Sequence, residues 1–228
     1  MYLKKWEDIP EFMRNDEVKR YYDILNKKKG QLVIKRMFDM MMSFFMLILL
    51  SPVFLILAVW IKVDSKGTVF YRQERITQYG RVFRIFKFRT MVSNADQIGS
   101  LVTTQNDSRI TKVGEKIRKC RLDEIPQLIN ILLGDMSFVG TRPEVQKYVD
   151  AYSDEMKATL LLPAGVTSLA SINYRDEDEI LEEKTSQGKT IDEVYIEDVL
   201  PEKMKFNLEY LHHFNIAKDV SLCVKTVI

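Results

Sequence analysis

Apolar and charged positions along the chain separate into one long uncharged run and a series of mixed segments. From Met40 to Ile61 no residue carries a charge, and Asp39 and Lys62 bound the run. As a straight helix these residues would extend about 33 Å, enough to cross the hydrocarbon core of a bilayer. A core helix is rarely apolar on every face over such a length. The run also lies too far from the N-terminus, with no small-residue cleavage site after it, to read as a signal peptide. Ser51-Pro52 interrupts it. Proline removes a helix hydrogen bond and clashes with the preceding turn, so a sharp bend is predicted there, with the Ser51 hydroxyl available to the carbonyls that Pro52 leaves free. Both flanks are basic: Lys27, Lys28, Lys29, Lys35 and Arg36 before, Lys62 and Lys66 after. Basic flanks stay on the cytoplasmic side, so a helix that dips in and returns is favoured over one that spans.

Beyond the run the pattern changes. Residues 67–90 predict short strands, punctuated by Gly67 and Gly80, and on a strand Lys87 and Arg89 fall on one face. Residues 91–108 are polar and predict a loop. A basic helix is predicted over 112–121 and a second from Arg121 to Gly134, with Pro126 in its first turn and Gly134 as its terminator. That places Asp123 and Glu124 at a helix N-terminus. Apolar spacing at Val145, Val149, Tyr152, Met156 and Leu160 predicts one helix over 145–160. Residues 176–198 are acidic and partly irregular, and 202–216 predict another amphipathic helix. Neither an internal repeat nor a low-complexity linker is present.

Composition sharpens this in one respect. The 34 basic and 32 acidic residues nearly cancel, which argues against a protein that coats nucleic acid. The distribution is uneven, however. Residues 1–36 hold ten basic and six acidic side chains, residues 72–121 twelve and four, and residues 144–210 seven and sixteen. A basic block of this kind can serve nucleic acid, anionic lipid or a phosphorylated small molecule. Two cysteines, Cys120 and Cys223, make no disulfide framework and point to a reducing compartment.

The basic block frames the candidate chemistry. Asp123 and Glu124 alone would read as helix caps, but Arg109, Lys112, Lys116, Arg118, Lys119 and Arg121 precede them. A carboxylate kept ionised by nearby cations can attack phosphorus, and Mg²⁺ shared between carboxylate and phosphate oxygens neutralises the repulsion. Arg142, on the rigid turn Gly140-Thr-Arg-Pro143, suits a bidentate grip on phosphate. Two rivals exist. Asp176 and Asp178 match a DxD pattern within an acidic run that reads as a solvated face, and the basic block could serve a non-enzymatic membrane anchor that binds polyanions. His212-His213 lacks metal spacing and reads as surface.

Seven ordered motifs carry a resemblance: Lys35-Arg-Met-Phe-Asp39, Ser51-Pro52, Phe70-Tyr-Arg-Gln-Glu-Arg75, Phe86-Lys-Phe-Arg-Thr-Met91, Arg109-Ile-Thr-Lys-Val-Gly114, Leu122-Asp-Glu-Ile-Pro-Gln127 and Gly134-Asp-Met-Ser-Phe-Val-Gly140. Over about residues 33–175 the chain resembles bacterial sugar transferases of the monotopic phosphoglycosyl transferase superfamily. The resemblance implies transfer of a sugar 1-phosphate from a UDP-sugar to undecaprenyl phosphate with release of UMP, at an early membrane step of surface glycan assembly. It implies a ping-pong mechanism in which Asp123 attacks the β-phosphorus and forms a phosphosugar–enzyme intermediate, with Glu124 assisting and both carboxylates near Mg²⁺. Lys87, Arg89, Arg109 and Arg118 become expected phosphate contacts, Arg142 and Pro143 nucleotide contacts, and Ser51-Pro52 the break of the family's re-entrant helix. Two stretches depart from the family: Thr141-Arg142-Pro143 stands where Pro-Arg-Pro is common, and Pro163 to Arg175 replaces the usual glycine-rich stretch.

The expected fold is therefore α+β and mostly helical, with a small sheet, one re-entrant helix broken at Ser51-Pro52 and interfacial amphipathic helices. The expected parts are an interfacial segment at 1–34, the re-entrant helix at 35–65 and a catalytic domain at 66–228. Expected partners are a UDP-sugar, undecaprenyl phosphate and inner-membrane lipids at the cytoplasmic face, without nucleic acid, and the 145–216 helices leave room for a homodimer.

Overall fold

The computed structural model describes residues 3–93, 95, 107–174, 177–186 and 188–227. Two 3-10 turns lead into helix α1 (Asp16–Asn26), which Asn15 caps by accepting from the Val18 amide at 2.8 Å. Val18, Tyr22 and Leu25 recur at helical spacing and are all buried. They join Ile9, Met13, Leu160, Leu161, Tyr210 and Leu211 in the largest core cluster. The apolar face of α1 is thus turned into the protein.

Helices α2 (Lys29–Leu49) and α3 (Ser51–Asp64) are bent by 61° at Leu50, and among the described residues no single helix is long and apolar enough to cross a membrane. The bend has the expected cause. Pro52 stands in the first turn of α3, and the Ser51 hydroxyl donates to the Ile48 carbonyl at 2.8 Å. Three side chains of α2 fasten the pair to the rest of the molecule. Lys35 makes a buried 2.5 Å ion pair with Asp219, which also accepts from the Tyr210 hydroxyl at 2.8 Å. Arg36 donates to the carbonyls of Ile131 and Leu132 at 2.6 and 3.0 Å. Asp39 accepts from the Phe138 amide at 3.2 Å.

Strands β1 (Phe70–Ile76) and β2 (Val82–Phe88) form an antiparallel hairpin in which Tyr71 faces Lys87 and Arg75 faces Phe83. Helix α4 (Lys112–Lys119) buries Val113 and Ile117 against Leu57, Ile61 and Phe88 and leaves its lysines outward. Leu122–Glu124 is a separate 3-10 turn, entered through Arg121 at φ 51°, and helix α5 (Gln127–Leu133) follows, closed by Gly134 at φ 91°. The single helix expected from Arg121 to Gly134 is thus two elements: Pro126 fits the start of α5 but, lacking an amide hydrogen, does not join it to the turn before. Strand β3 (Met136–Val139) pairs in parallel with β4 (Ala164–Thr167), so the described residues form two two-stranded sheets where one small sheet was expected. At their end Gly165 donates to the Thr141 carbonyl at 2.8 Å, and a Cβ on Gly165 would lie 2.2 Å from the Gly140 nitrogen. Only glycine allows that approach, and it fixes where Arg142 emerges.

The C-terminal half is helical. The helix expected over 145–160 is α6 (Gln146–Val149) and a 3-10 turn (Met156–Leu161). Ser153 breaks it by accepting from the Met156 amide at 3.4 Å, while Tyr152 still reaches the core. After α7 (Leu169–Asn173) and α8 (Glu177–Ser186), helix α9 (Ile191–Val194) begins with a Thr190–Glu193 capping box and passes into a π-helical turn (Tyr195–Val199) and α10 (Leu200–His212). The helix expected over 202–216 ends at His212, and α11 (Ile216–Val227) starts anew.

Candidate active site

Helix α5, which follows the Leu122–Glu124 turn, is held to strand β2 by one buried amide. Asn130 on α5 accepts from the Phe86 amide at 2.8 Å and donates to the Arg84 carbonyl at 3.0 Å. This clamp sets Lys87, the next residue of β2, opposite Glu124. Lys87 Nζ donates to Glu124 Oε1 at 3.0 Å, and Arg142 Nη2 donates to the same oxygen at 2.7 Å. Burial alone would push the Glu124 carboxyl up, but Arg142 and Lys87 outweigh it and hold it far below the usual carboxylate range. Burial in turn lowers Lys87, with Glu124 opposing. Asp123 is different. Burial raises its carboxyl, Glu124 adds like-charge repulsion, and Lys87 and Arg118 only partly offset them. Among the described residues no ion pair involves Asp123.

A cavity of about 920 Å³ opens beside this cluster. Its cationic lining comprises Lys87 and Arg142 at Glu124 together with Arg118 and Arg121; a second edge is apolar, with Met46, Leu50, Ile85, Leu128 and Phe138; a third wall carries Arg75, Glu144, Tyr195 and Lys203. The apolar edge reaches the bend between α2 and α3, so an amphiphile with a phosphate head can be met from both of its ends.

The structure brings together most of the residues singled out in the sequence. Lys87, Arg118, Glu124, Arg142 and Pro143 line the cavity, and Asp123 feels Lys87 and Arg118. Two residues lie elsewhere. Arg89 is buried, and its guanidinium donates to Ser65 and Lys66 carbonyls at 2.7 and 3.0 Å, which closes the C-terminal end of α3. Although Lys87 and Arg89 were expected to share a face and a task, β2 ends at Phe88 and the two side chains part. Arg109 forks onto Asp107 at 2.6 to 3.1 Å and donates to the Ala95 carbonyl at 3.1 Å. Neither lines the cavity. His212 and His213 are both exposed, as read. The rival Asp176 lies outside the described residues, as does the side chain of Asp178.

Arg75, Arg121, Gln127, Glu144, Tyr195 and Lys203 line the cavity without having been selected from sequence. Gln127 had a signal, its place in the Leu122–Gln127 motif. It is buried, and its amide nitrogen has no partner among the described residues. For a metal, the described residues contain no group of three or more His, Cys, Asp or Glu side chains. Asp123 and the second oxygen of Glu124 are an adjacent pair of hard donors. They fit Mg²⁺ only as a site completed by phosphate oxygens, which is how this ion is often held.

The chain matches the bacterial sugar transferase family over residues 30–228, past residue 175 where the motif resemblance ends. A relative from Aeromonas hydrophila, named a UDP-N-acetylgalactosamine-undecaprenyl-phosphate N-acetylgalactosaminephosphotransferase, is 33% identical over 197 residues, which are 85% of this chain and 43% of the relative. A UDP-glucose:undecaprenyl-phosphate glucose-1-phosphate transferase from Klebsiella pneumoniae is 34% identical over 202 residues, 86% of this chain and 40% of the relative. The exopolysaccharide production protein ExoY of Rhizobium meliloti is 31% identical over 208 residues, 85% of this chain and 83% of the relative. The chain thus spans about two fifths of the first two relatives and most of the third.

Proposed function

The chain belongs to the bacterial sugar transferase family, and on that premise we propose that it transfers a sugar 1-phosphate from a UDP-sugar to undecaprenyl phosphate, releasing UMP, as a first membrane step in assembling a surface glycan. One observation carries this reading: of two adjacent carboxylates beside a cationic cavity, Glu124 is clamped by Lys87 and Arg142, whereas Asp123 has no ion-pair partner among the described residues. A clamped carboxylate is a poor nucleophile and a good anchor for the arginine and lysine that meet the substrate phosphates; an unclamped one can attack.

In this reading an Asp123 oxygen bonds to the β-phosphorus, the bond from that phosphorus to the bridging oxygen breaks, and UMP departs with that oxygen. A phosphate oxygen of undecaprenyl phosphate then attacks the same phosphorus, and the bond to Asp123 breaks. Lys87, Arg118, Arg121 and Arg142 meet the phosphates throughout. Bound Mg²⁺ supplies charge neutralisation between the carboxylates and the diphosphate. Arg89 and Arg109, although motif residues, act in this account on the scaffold.

The bent pair α2–α3 is read as a re-entrant membrane helix at the cytoplasmic face of the inner membrane. Support comes from its outward side chains, since Met41, Phe45, Leu49, Leu55 and Val63 are all exposed and an apolar surface of this extent is a mark of membrane contact. The site then stands at headgroup level, where a soluble donor and a lipid acceptor can both arrive.

The test is nucleotide release from UDP-sugar with membranes containing the protein. UMP is expected from the unaltered chain. Asp123→Asn should lower it by at least a thousandfold while the protein remains in the membrane fraction. Release of UDP, or retained UMP release by the variant, overturns the reading.

A further inference from the structure

We propose that the cavity wall formed by Glu144, Tyr195 and Lys203 holds the sugar ring of the donor and decides which sugar is accepted; this rests on the donor reading above. The wall starts beside the turn that carries Arg142. Glu144 directly follows Arg142 and Pro143, and its buried side chain accepts from the Tyr195 hydroxyl at 2.6 Å. Lys203 Nζ, also buried, donates to that hydroxyl at 3.1 Å. The Tyr148 ring packs on the Tyr195 ring with centroids 4.4 Å apart. All four residues line the cavity that holds Glu124 and Arg142.

The backbone has been bent to build this arrangement. Tyr195 opens the π-helical turn Tyr195–Val199, and Lys203 lies on α10. In an unbroken α-helix two residues eight apart diverge by about 80°; a π turn absorbs one extra residue, so the pair behaves as if seven apart and diverges by only about 20°. A π turn is rare and clusters at functional sites. Here it is what places a phenol and an ammonium on one wall.

The chemistry of that wall suits hydroxyls. The cationic end of the cavity fits phosphates, and the apolar edge by Met46 and Leu50 fits a lipid chain. A sugar ring offers hydroxyl groups that both donate and accept. Glu144 accepts, Lys203 donates and the Tyr195 hydroxyl does either, while the paired tyrosine rings offer an apolar face for C–H groups. Arg75 lines the same wall, but its guanidinium is directed to Gln73 Oε1 at 2.7 and 3.1 Å and to the Pro143 carbonyl at 3.3 Å. Such a wall discriminates because a sugar with one hydroxyl inverted carries that hydroxyl into the cavity away from the donors and acceptors of the wall.

Tyr195→Phe, Lys203→Met and the conservative Lys203→Arg, each in the full chain in membranes, test this. UMP release is measured with UDP-glucose, UDP-galactose, UDP-N-acetylglucosamine and UDP-N-acetylgalactosamine, alongside inhibition by UMP. Tyr195→Phe and Lys203→Met should each lower kcat/KM for the best donor by about tenfold, as loss of one buried hydrogen bond does, and at least one poorer donor by less than threefold. Lys203→Arg should recover part of the loss, and UMP inhibition should stay within twofold. An equal fall for all four donors, or parallel weakening of UMP inhibition, overturns the proposal and gives the wall to the nucleotide or to the scaffold. Tyr195→Phe removes a single oxygen, so a thermal melt within a few degrees of the parent shows that folding is not the cause. If the unaltered chain releases no UMP from any donor, the donor reading itself fails, a result distinct from a failure of selectivity.

Discussion

Helices α1 and α2 are neighbours in sequence and opposites in burial. In α1, Val18, Tyr22 and Leu25 are buried, while Asp16, Arg20 and Asp23 are exposed. In α2 the buried side includes Lys35, Asp39 and Ser43, and Met37, Met41, Phe45 and Ile48 face outward, Met41 with 69% of its surface exposed. The same rule explains both once the outer medium is allowed to differ. Polar groups go inward when they find partners there, as Lys35 does with Asp219, and apolar groups go outward when the surroundings are as apolar as they are. The inverted helix also carries the anchors that the active-site scaffold uses. Arg36 closes the end of α5, and Asp39 meets β3. The outward apolar face and the anchors of the candidate site therefore share one rigid element.

The contrast breaks most visibly under lysine. Replacing Met41, Phe45 and Ile48 by lysine places three charges on the outward face of α2. At about 2.5–3.5 kcal/mol for each charge at mid-membrane, membrane association should be lost, read as the protein fraction left in carbonate-washed membranes. Lysine at Asp16, Arg20 and Asp23 on the outward face of α1 should leave that fraction unchanged. Equal behaviour of the two triples, or a parent protein that stays monodisperse without detergent, removes the reason for calling α2 inverted.

A second, smaller effect concerns the inward side. Lys35→Met strands Asp219 in a buried site, and breaking such a pair costs about 3–5 kcal/mol. The Arg20–Glu17 pair on α1 is a 3.0 Å contact with 72% of the arginine side chain exposed. Arg20→Met should change stability by less than about 0.5 kcal/mol. Thermal unfolding in detergent measures both. The double change Lys35→Met with Asp219→Leu should recover most of the loss, because no orphaned charge remains; failure to recover would give the cost to packing instead.

How much of this was legible in the sequence depended on the range of the cause. The break at Leu50 was legible because Pro52 acts on its own turn. The place of Asp123 and Glu124 among cations was legible through the basic residues before them. Arg89 and Arg109 were not, since a sequence gives charge but not the competing acceptors: carbonyls of Ser65 and Lys66 for one, Asp107 for the other. The break after α6 was hidden because Tyr152 keeps the apolar rhythm through it. Tyr195 and Lys203 were hidden most deeply. Their meeting needs a π turn with no local signature, and Glu144 lies 51 residues before Tyr195.

The smallest effect tests the medium directly. Ser51 donates to the carbonyl three residues earlier, Ile48, at 2.8 Å, and Ser186 on α8 makes the same kind of bond to Glu183 at 2.5 Å. Both serines are exposed. If water surrounds a helix end, it replaces a lost hydroxyl at the carbonyl, so Ser186→Ala should change stability by less than about 0.5 kcal/mol. No water replaces it in hydrocarbon. Polar contacts between helical segments in membranes average about 0.6 kcal/mol and reach about 1.7 kcal/mol, so Ser51→Ala should cost more than its twin, and the bend should loosen as well. Unfolding in bilayer discs resolves that difference. Equal costs for the two alanines would place the Leu50 bend in water and leave the exposed methionines and phenylalanines of α2 without a medium to explain them.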